Sequence, residues 1–212
     1  MPVTAKICGL STPATLDAAL DGGASHVGFV FFPPSPRHLA FDQAAALAAR
    51  TGDRARRVGV FVDPADSLVA EAVAAGRLDA IQLHKVTPAR AAAVRQTAAV
   101  ETWVALAVKT AVDLAAAPSY VGAADRLLYD AKTPDDAALP GGMGVRFDWR
   151  LLDGARHPLP WALSGGLDAD NVAEAAARTG ARLVDVSSGV ERAPGVKDVD
   201  KIAAFLQRIA QL

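Results

Sequence analysis

The chain alternates eight times between a short run suited to a strand and a compact connection. The runs are "VTAKIC", "HVGFVFF", "RRVGVFV", "LDAIQLH", "VETWVALAV", "DRLLYDA", "LPWALSG" and "RLVDVSS", rich in the β-branched and aromatic residues that favour strands. Between them lie Ala-rich stretches such as "TPATLDAALDGG", "DQAAALAART", "PADSLVAEAVAAG", "TPARAAAVRQT" and "DADNVAEAAARTG". Several open on Ser, Thr or Asp and close near Gly, as helices do. The sixth connection is weaker, with "FDWRLLDGA" as its only helix candidate. Eight β/α units in 212 residues predict an α/β protein with a single-domain (β/α)8 TIM barrel over residues 1–212. Barrels of about 250 residues are more typical, so the connections must be compact. An open, doubly wound sheet is the structural alternative.

Composition narrows what such a chain can do. With 51% hydrophobic residues it can bury one sizeable core. The 22 Lys and Arg balance 23 Asp and Glu, which argues against a nucleic-acid binder, although a local basic patch is compatible with this balance. One cysteine forms no intramolecular disulfide. The opening "MPVTAKICG" lacks a signal-peptide pattern, and no apolar run has the length of a membrane span. The expected setting is cytoplasmic, with no membrane partner; oligomeric state is not legible.

In a (β/α)8 barrel the chemistry sits at the C-terminal ends of the strands. Cys8, His84, Asp130 and Asp185, with Ser187 and Ser188, fall at such ends, and Arg37 falls in the loop after the second strand. Strand alternation puts Lys6 with Cys8, Gln82 with His84 and Leu183 with Asp185 on one face. Each residue also has a plainer reading. Cys8 could be a small buried apolar side chain, although Lys6 two residues earlier favours a thiolate. Asp130 and Asp185 could be structural carboxylates, His84 a packing residue and Arg37 a solvated loop charge. No second His or Cys lies at ligand spacing, so no metal site is expected. Trp103, Trp149 and Trp161 read as packing.

Two glycine-containing segments, "LSGGLDADNV" and "DVSSGVERAPGVKD", follow the seventh and eighth strands, where barrels of this kind bind phosphate through backbone N–H groups. Gly165, Gly166, Ser187, Ser188 and Gly189 are the candidate cradle, and the expected ligand is a phosphorylated small molecule.

Taken in order, "KICGL", "GFVFFPPSPR", "VGVFV", "IQLHK", "LLYDA", "PGGMGVRFDW", "LSGGLDADNV" and "DVSSGVERAPGVKD" make the chain resemble the phosphoribosylanthranilate isomerase family of tryptophan biosynthesis along almost its whole length. It departs from the family pattern at Lys85, where Gly is usual, and at Met143, where a small or hydroxyl residue is more common. The resemblance implies an Amadori rearrangement of N-(5-phosphoribosyl)anthranilate to 1-(2-carboxyphenylamino)-1-deoxyribulose 5-phosphate, with no cofactor. Asp130 would be the general acid that opens the sugar ring and Cys8 the base acting at C2. Arg37 would pair with the anthranilate carboxylate through its guanidinium fork, and His84 and Asp185 are further substrate-binding candidates. In a pH profile the acidic limb would then report deprotonation of Cys8 and the basic limb loss of the Asp130 proton. Rival readings are another sugar-phosphate isomerase, an aldolase using Lys6, or a non-catalytic phosphate-binding barrel.

Overall fold

In the computed structural model, residues 2–132 and 144–212 are described. Eight parallel strands close in sequence order into a barrel. They are β1 (Thr4–Cys8), β2 (His26–Val30), β3 (Arg56–Val62), β4 (Ala80–His84), β5 (Glu101–Val108), β6 (Arg126–Ala131), β7 (Trp161–Leu163) and β8 (Leu183–Val186). All eight expected strands are present, and β1 pairs with both β2 and β8, so the open-sheet alternative is excluded.

The outer layer is less even. Helices α1 (Pro13–Asp21), α2 (Phe41–Thr51), α3 (Asp66–Gly76) and α4 (Pro88–Ala98) follow the first four strands. The two Thr-Pro openings work as local physics requires. Thr12 and Thr87 cap their helices by accepting from the N–H groups of Thr15 and Arg90, and the proline follows at the first turn. After β5 come only α5 (Ala111–Leu114) and a 3-10 turn, Ala117–Tyr120. "FDWRLLDGA" gives a single 3-10 turn at Trp149–Leu152, not a helix. Among the described residues, these two connections are the ones that carry no full-length helix. Helices α6 (Val172–Thr179) and α7 (Val199–Ile209) complete the ring. The sequence reading had not singled out α7, whose Ile202, Phe205, Leu206 and Ile209 are buried. A small antiparallel hairpin, β9 (Glu191–Ala193) with β10 (Val196–Lys197), sits between β8 and α7 and was also unforeseen.

Alternate strand residues point inward and build strata. At the bottom Val58, Ala80, Trp103, Leu128, Ala162 and Leu183 form an apolar plug. Above it lie Lys6, Gln82 and Asp185, all buried. The mouth is ringed by Cys8, His84, Asp130 and Ser164. Outward-facing residues such as Ile7, Val27, Phe29 and Ile81 join the larger core beneath the helices. Trp103 belongs to the plug, and Trp149 and Trp161 pack against the outer core; all three read correctly as packing.

Lys85 follows the end of β4 with φ at +56° and is exposed. Left-handed backbone costs a non-glycine residue about 1–2 kcal/mol, which accounts physically for the glycine usual at this place. Met143 lies outside the described residues. Lys85→Gly should stabilise the fold by about 0.5–1 kcal/mol, after allowing for the larger unfolded-state entropy of glycine. Thermal or urea unfolding checks this, and a lower midpoint in the variant would contradict it.

Candidate active site

The strand ends open into one cavity, continuous with solvent. Its walls differ in character. Val30, Phe32, Val60 and Val62 make an apolar side with Ser35 and Arg37 at its edge, while Gly165, Gly166, Ser187 and Ser188 line another side. Between them the floor carries Cys8, Gln82, His84, Asp130, Ser164 and Asp185. Every candidate site residue except Gly189 therefore lines the same cavity. Gly189 stands behind the lining, where an added Cβ would strike the Leu167 carbonyl; glycine lets the 165–167 and 187–189 segments abut. At Gly165, with φ at +93°, a Cβ would lie 2.6 Å from Ala131 N and 3.1 Å from Asp130 Oδ1. A side chain there would push into the acid.

Lys6 is fully buried and organises the floor. Its ammonium donates to Asp185 Oδ1 at 2.8 Å and to Gln82 Oε1 at 3.0 Å. Burial opposes the charge, but Asp185 and the neighbouring thiol outweigh it and raise the Lys6 pKa above its ordinary value. An ammonium only donates, so Gln82 must turn its carbonyl oxygen to Lys6 and its amide N–H₂ to His84 Nε2, 2.8 Å away. His84 Nε2 thus accepts, leaving the ring proton on Nδ1. Burial, then Lys6, pushes the His84 pKa down to about 4, so the ring is neutral at physiological pH.

Ser164 Oγ donates to Asp185 Oδ2 at 3.1 Å and also adjoins Asp130. Burial, and after it the charge of Asp185, pushes the Asp130 pKa up to about 7, against the opposing Ala131 N–H, Ser164 and Lys6. Asp130 is thus a carboxylic acid able to hold its proton near neutrality.

Cys8 behaves less simply than Lys6 alone suggested. Burial pushes its thiol above the ordinary value, and Asp185 adds to this; Lys6 and Lys197 pull in the other direction without prevailing. Space for the sulfur depends on Gly28, the strand neighbour of Cys8, where an added Cβ would lie 3.0 Å from Sγ and 3.2 Å from Lys6 Cε.

Arg37 is buried rather than a solvated loop charge. Its Nε and Nη2 donate to the two oxygens of Glu191, each at 2.7 Å. Glu191 thus engages the Nε–Nη2 edge of the guanidinium. Glu191 and Lys197 were not singled out from sequence. Their signal was six-residue spacing of opposite charges across "ERAPGVK", which the β9–β10 register brings face to face. Among the described residues no cluster of His, Cys, Asp and Glu has metal-binding geometry, and no helix is long and apolar enough to cross a membrane.

A barrel with a carboxylic acid and a thiol sunk in one mouth, beside two abutting glycine segments where phosphates bind, has the equipment of an acid–base enzyme for phosphorylated substrates. The chain belongs to the N-(5'-phosphoribosyl)anthranilate isomerase family, whose model matches residues 5–208. It is 55% identical over 214 residues to the enzyme of that name from Zymomonas mobilis subsp. mobilis, with 100% of each chain covered. It is 53% identical over 208 residues to that of Rhodopseudomonas palustris, covering 98% of this chain and 95% of that one. Among solved structures it resembles the Thermotoga maritima phosphoribosylanthranilate isomerase, with a TM-score of 0.84 at 31% identity, covering 99% of this chain and 100% of that one. A second family structure, with a TM-score of 0.81 and 29% identity over 99% and 100% of the two chains, holds reduced 1-(o-carboxyphenylamino)-1-deoxyribulose 5-phosphate.

Two measurements follow from these proton affinities. A carboxyl whose folded pKa is raised makes folding more favourable below the unfolded value of about 3.9, and that contribution is lost as pH rises toward 7. Asp130→Asn, which cannot ionise, should therefore exceed the parent in stability by at least about 1 kcal/mol at pH 8, with the gap closing by pH 4. Urea denaturation at both values tests this, and a variant less stable at pH 8 than at pH 4, relative to the parent, refutes it. Alkylation of Cys8, the only thiol, should have its rate midpoint above the ordinary thiol pKa of about 8.5; a midpoint below that value would mean the cations prevail over burial.

Proposed function

We propose that the chain catalyses the Amadori rearrangement of N-(5-phosphoribosyl)anthranilate to 1-(2-carboxyphenylamino)-1-deoxyribulose 5-phosphate in tryptophan biosynthesis, as a single cytoplasmic barrel domain needing no cofactor. The observation that carries this reading is the two-sided cavity. An apolar wall edged by Arg37 suits an aromatic ring bearing a carboxylate, and the Gly165–Gly166 and Ser187–Gly189 segments suit a sugar phosphate. The proton-transfer groups lie between the two ends, where the ribose must sit.

Asp130 gives its proton to the ring oxygen as the C1–O bond breaks and the nitrogen lone pair forms the C1–N double bond, leaving an open-chain iminium ion that keeps its N–H. Cys8, as thiolate, removes the C2 proton, and the electrons move into a C1–C2 double bond as the iminium nitrogen becomes a neutral enamine nitrogen. Tautomerisation of this enol gives the ketone, so the net change is isomerisation. Arg37 holds the aryl carboxylate, and the Nδ1–H of His84 and the Asp185 carboxylate bind sugar oxygens and water at the floor. A Schiff-base aldolase is disfavoured, because Lys6 is buried and tied to Asp185 and Gln82.

Loss of anthranilate-type fluorescence on mixing the purified chain with freshly prepared substrate tests the reading; no turnover would overturn it. Cys8→Ala, Cys8→Ser and Asp130→Asn should each lose about 10² or more in kcat, within the range for acid–base groups. Near-parental activity in any of them would remove that residue from its role. Since the Asp130 pKa of about 7 lies below that of the raised Cys8 thiol, the active form, thiolate with carboxylic acid, is a minor population. The acidic limb of kcat/KM should then fall near 7 and belong to Asp130, with the basic limb above it belonging to Cys8, the reverse of the assignment expected from sequence.

A further inference from the structure

The Glu191 carboxylate accepts four hydrogen bonds. Oε1 takes Arg37 Nε and Lys197 Nζ, each at 2.7 Å, and Oε2 takes Arg37 Nη2 at 2.7 Å and the Gly195 N–H at 3.2 Å. The three side chains are buried, so this is an enclosed ionic cluster rather than a surface salt bridge. The backbone reinforces it. Gly195 turns the hairpin at φ +79°, and an added Cβ there would lie 2.7 Å from Pro36 O, so the turn lies directly against the residue before Arg37. Lys197 Nζ also donates to Ser187 O at 2.8 Å and Ser187 Oγ at 3.0 Å, and Ser187 Oγ donates to Cys8 O at 3.2 Å. One network thus joins the arginine loop, the serine of the glycine-containing segment and the strand end bearing the thiol.

Building on the function proposed above, we infer that Glu191 is a positioning residue: by gripping one edge of Arg37 it fixes the guanidinium at the cavity wall where the aryl carboxylate of the substrate is received. Two cations and one carboxylate leave the cluster with one net positive charge beside a site for an anionic ligand. Without the carboxylate, Arg37 and Lys197 would repel each other and the long arginine side chain would lose its fixed direction. A glutamine cannot replace it, since it offers one oxygen to donors on both sides and sets an N–H₂ group against a cation. Aspartate keeps the charge but stops one methylene short of the bidentate grip.

The test is a double-mutant cycle on Glu191 and Arg37, read by kcat and KM. Glu191→Gln should raise KM about tenfold or more with kcat within about threefold, as expected when ground-state and transition-state binding are lost together. Glu191→Asp should fall between. In an Arg37→Ala background, where there is nothing left to position, either substitution should change KM by less than about twofold. Equal fold-changes in both backgrounds, a loss confined to kcat, or an unchanged KM in Glu191→Gln would overturn the inference. If Glu191→Gln fails to fold, as circular dichroism would reveal, the Glu191→Asp arm decides by the same criteria. Failure of the parent chain to turn over the substrate would instead strike at the proposed function.

Discussion

The interior of this barrel depends on the ion pair between Lys6 and Asp185, buried above an apolar plug, with Asp185 on the cavity floor. Burying two charges costs several kcal/mol per ion, and removing one partner costs about 3–5 kcal/mol because the other is stranded. The pair is tolerated because each partner gains a further hydrogen bond. Gln82 takes a second Lys6 proton, and Ser164 donates to the second Asp185 oxygen. Through these two neighbours the pair fixes the His84 tautomer on one side and faces Asp130 on the other. A hydrophobic layer in its place could hold the barrel together, but would leave nothing to set those proton positions.

The pair also acts unequally on the proposed acid and base. Asp185 pushes Asp130 upward and Lys6 opposes it, with burial and Asp185 prevailing. At Cys8 the same two charges again act in opposite senses, with Lys197 joining Lys6 against burial. The carboxylate raises the affinity of the acid for its proton, while the ammonium groups hold back the rise at the thiol. This is how two titratable groups in one small cavity come to have different tasks, each set by its neighbours rather than by its own chemistry.

Much of this was legible from the chain alone, for definite reasons. Strand periodicity and the barrel rule located the mouth, so Cys8, Asp130, Asp185 and His84 could be placed in it by position. The paired glycine segments carried their own signal because their spacing relative to β7 and β8 is set by topology. What escaped depended on depth and on partners distant in sequence. Lys6 beside Cys8 suggested a thiolate, but only the folded chain shows both are buried, and burial decides the direction. Arg37 was legible as a substrate-binding candidate, but its burial was not, because Glu191, its partner, lies 154 residues away. Helix α7 went unremarked although its apolar spacing is regular, whereas "FDWRLLDGA" formed only a 3-10 turn.

An acid with a pKa near neutrality and a thiol above its ordinary value give a site whose prevalent protonation states are not the reactive one. Bound substrate adds to this tension, since its phosphate and carboxylate disfavour every nearby anion. For Asp130 that shift is helpful in the proposed mechanism, which needs the group as the neutral acid. For Cys8 it is adverse, and only the buried cations offset it. Lys6 acts from below the thiol, and Lys197 acts from the β9–β10 hairpin, where Glu191 binds it to Arg37. The hairpin that secures the proposed carboxylate-binding arginine therefore also brings a cation to the proposed base. In the proposed mechanism, substrate grip and base activation are therefore parts of one electrostatic arrangement.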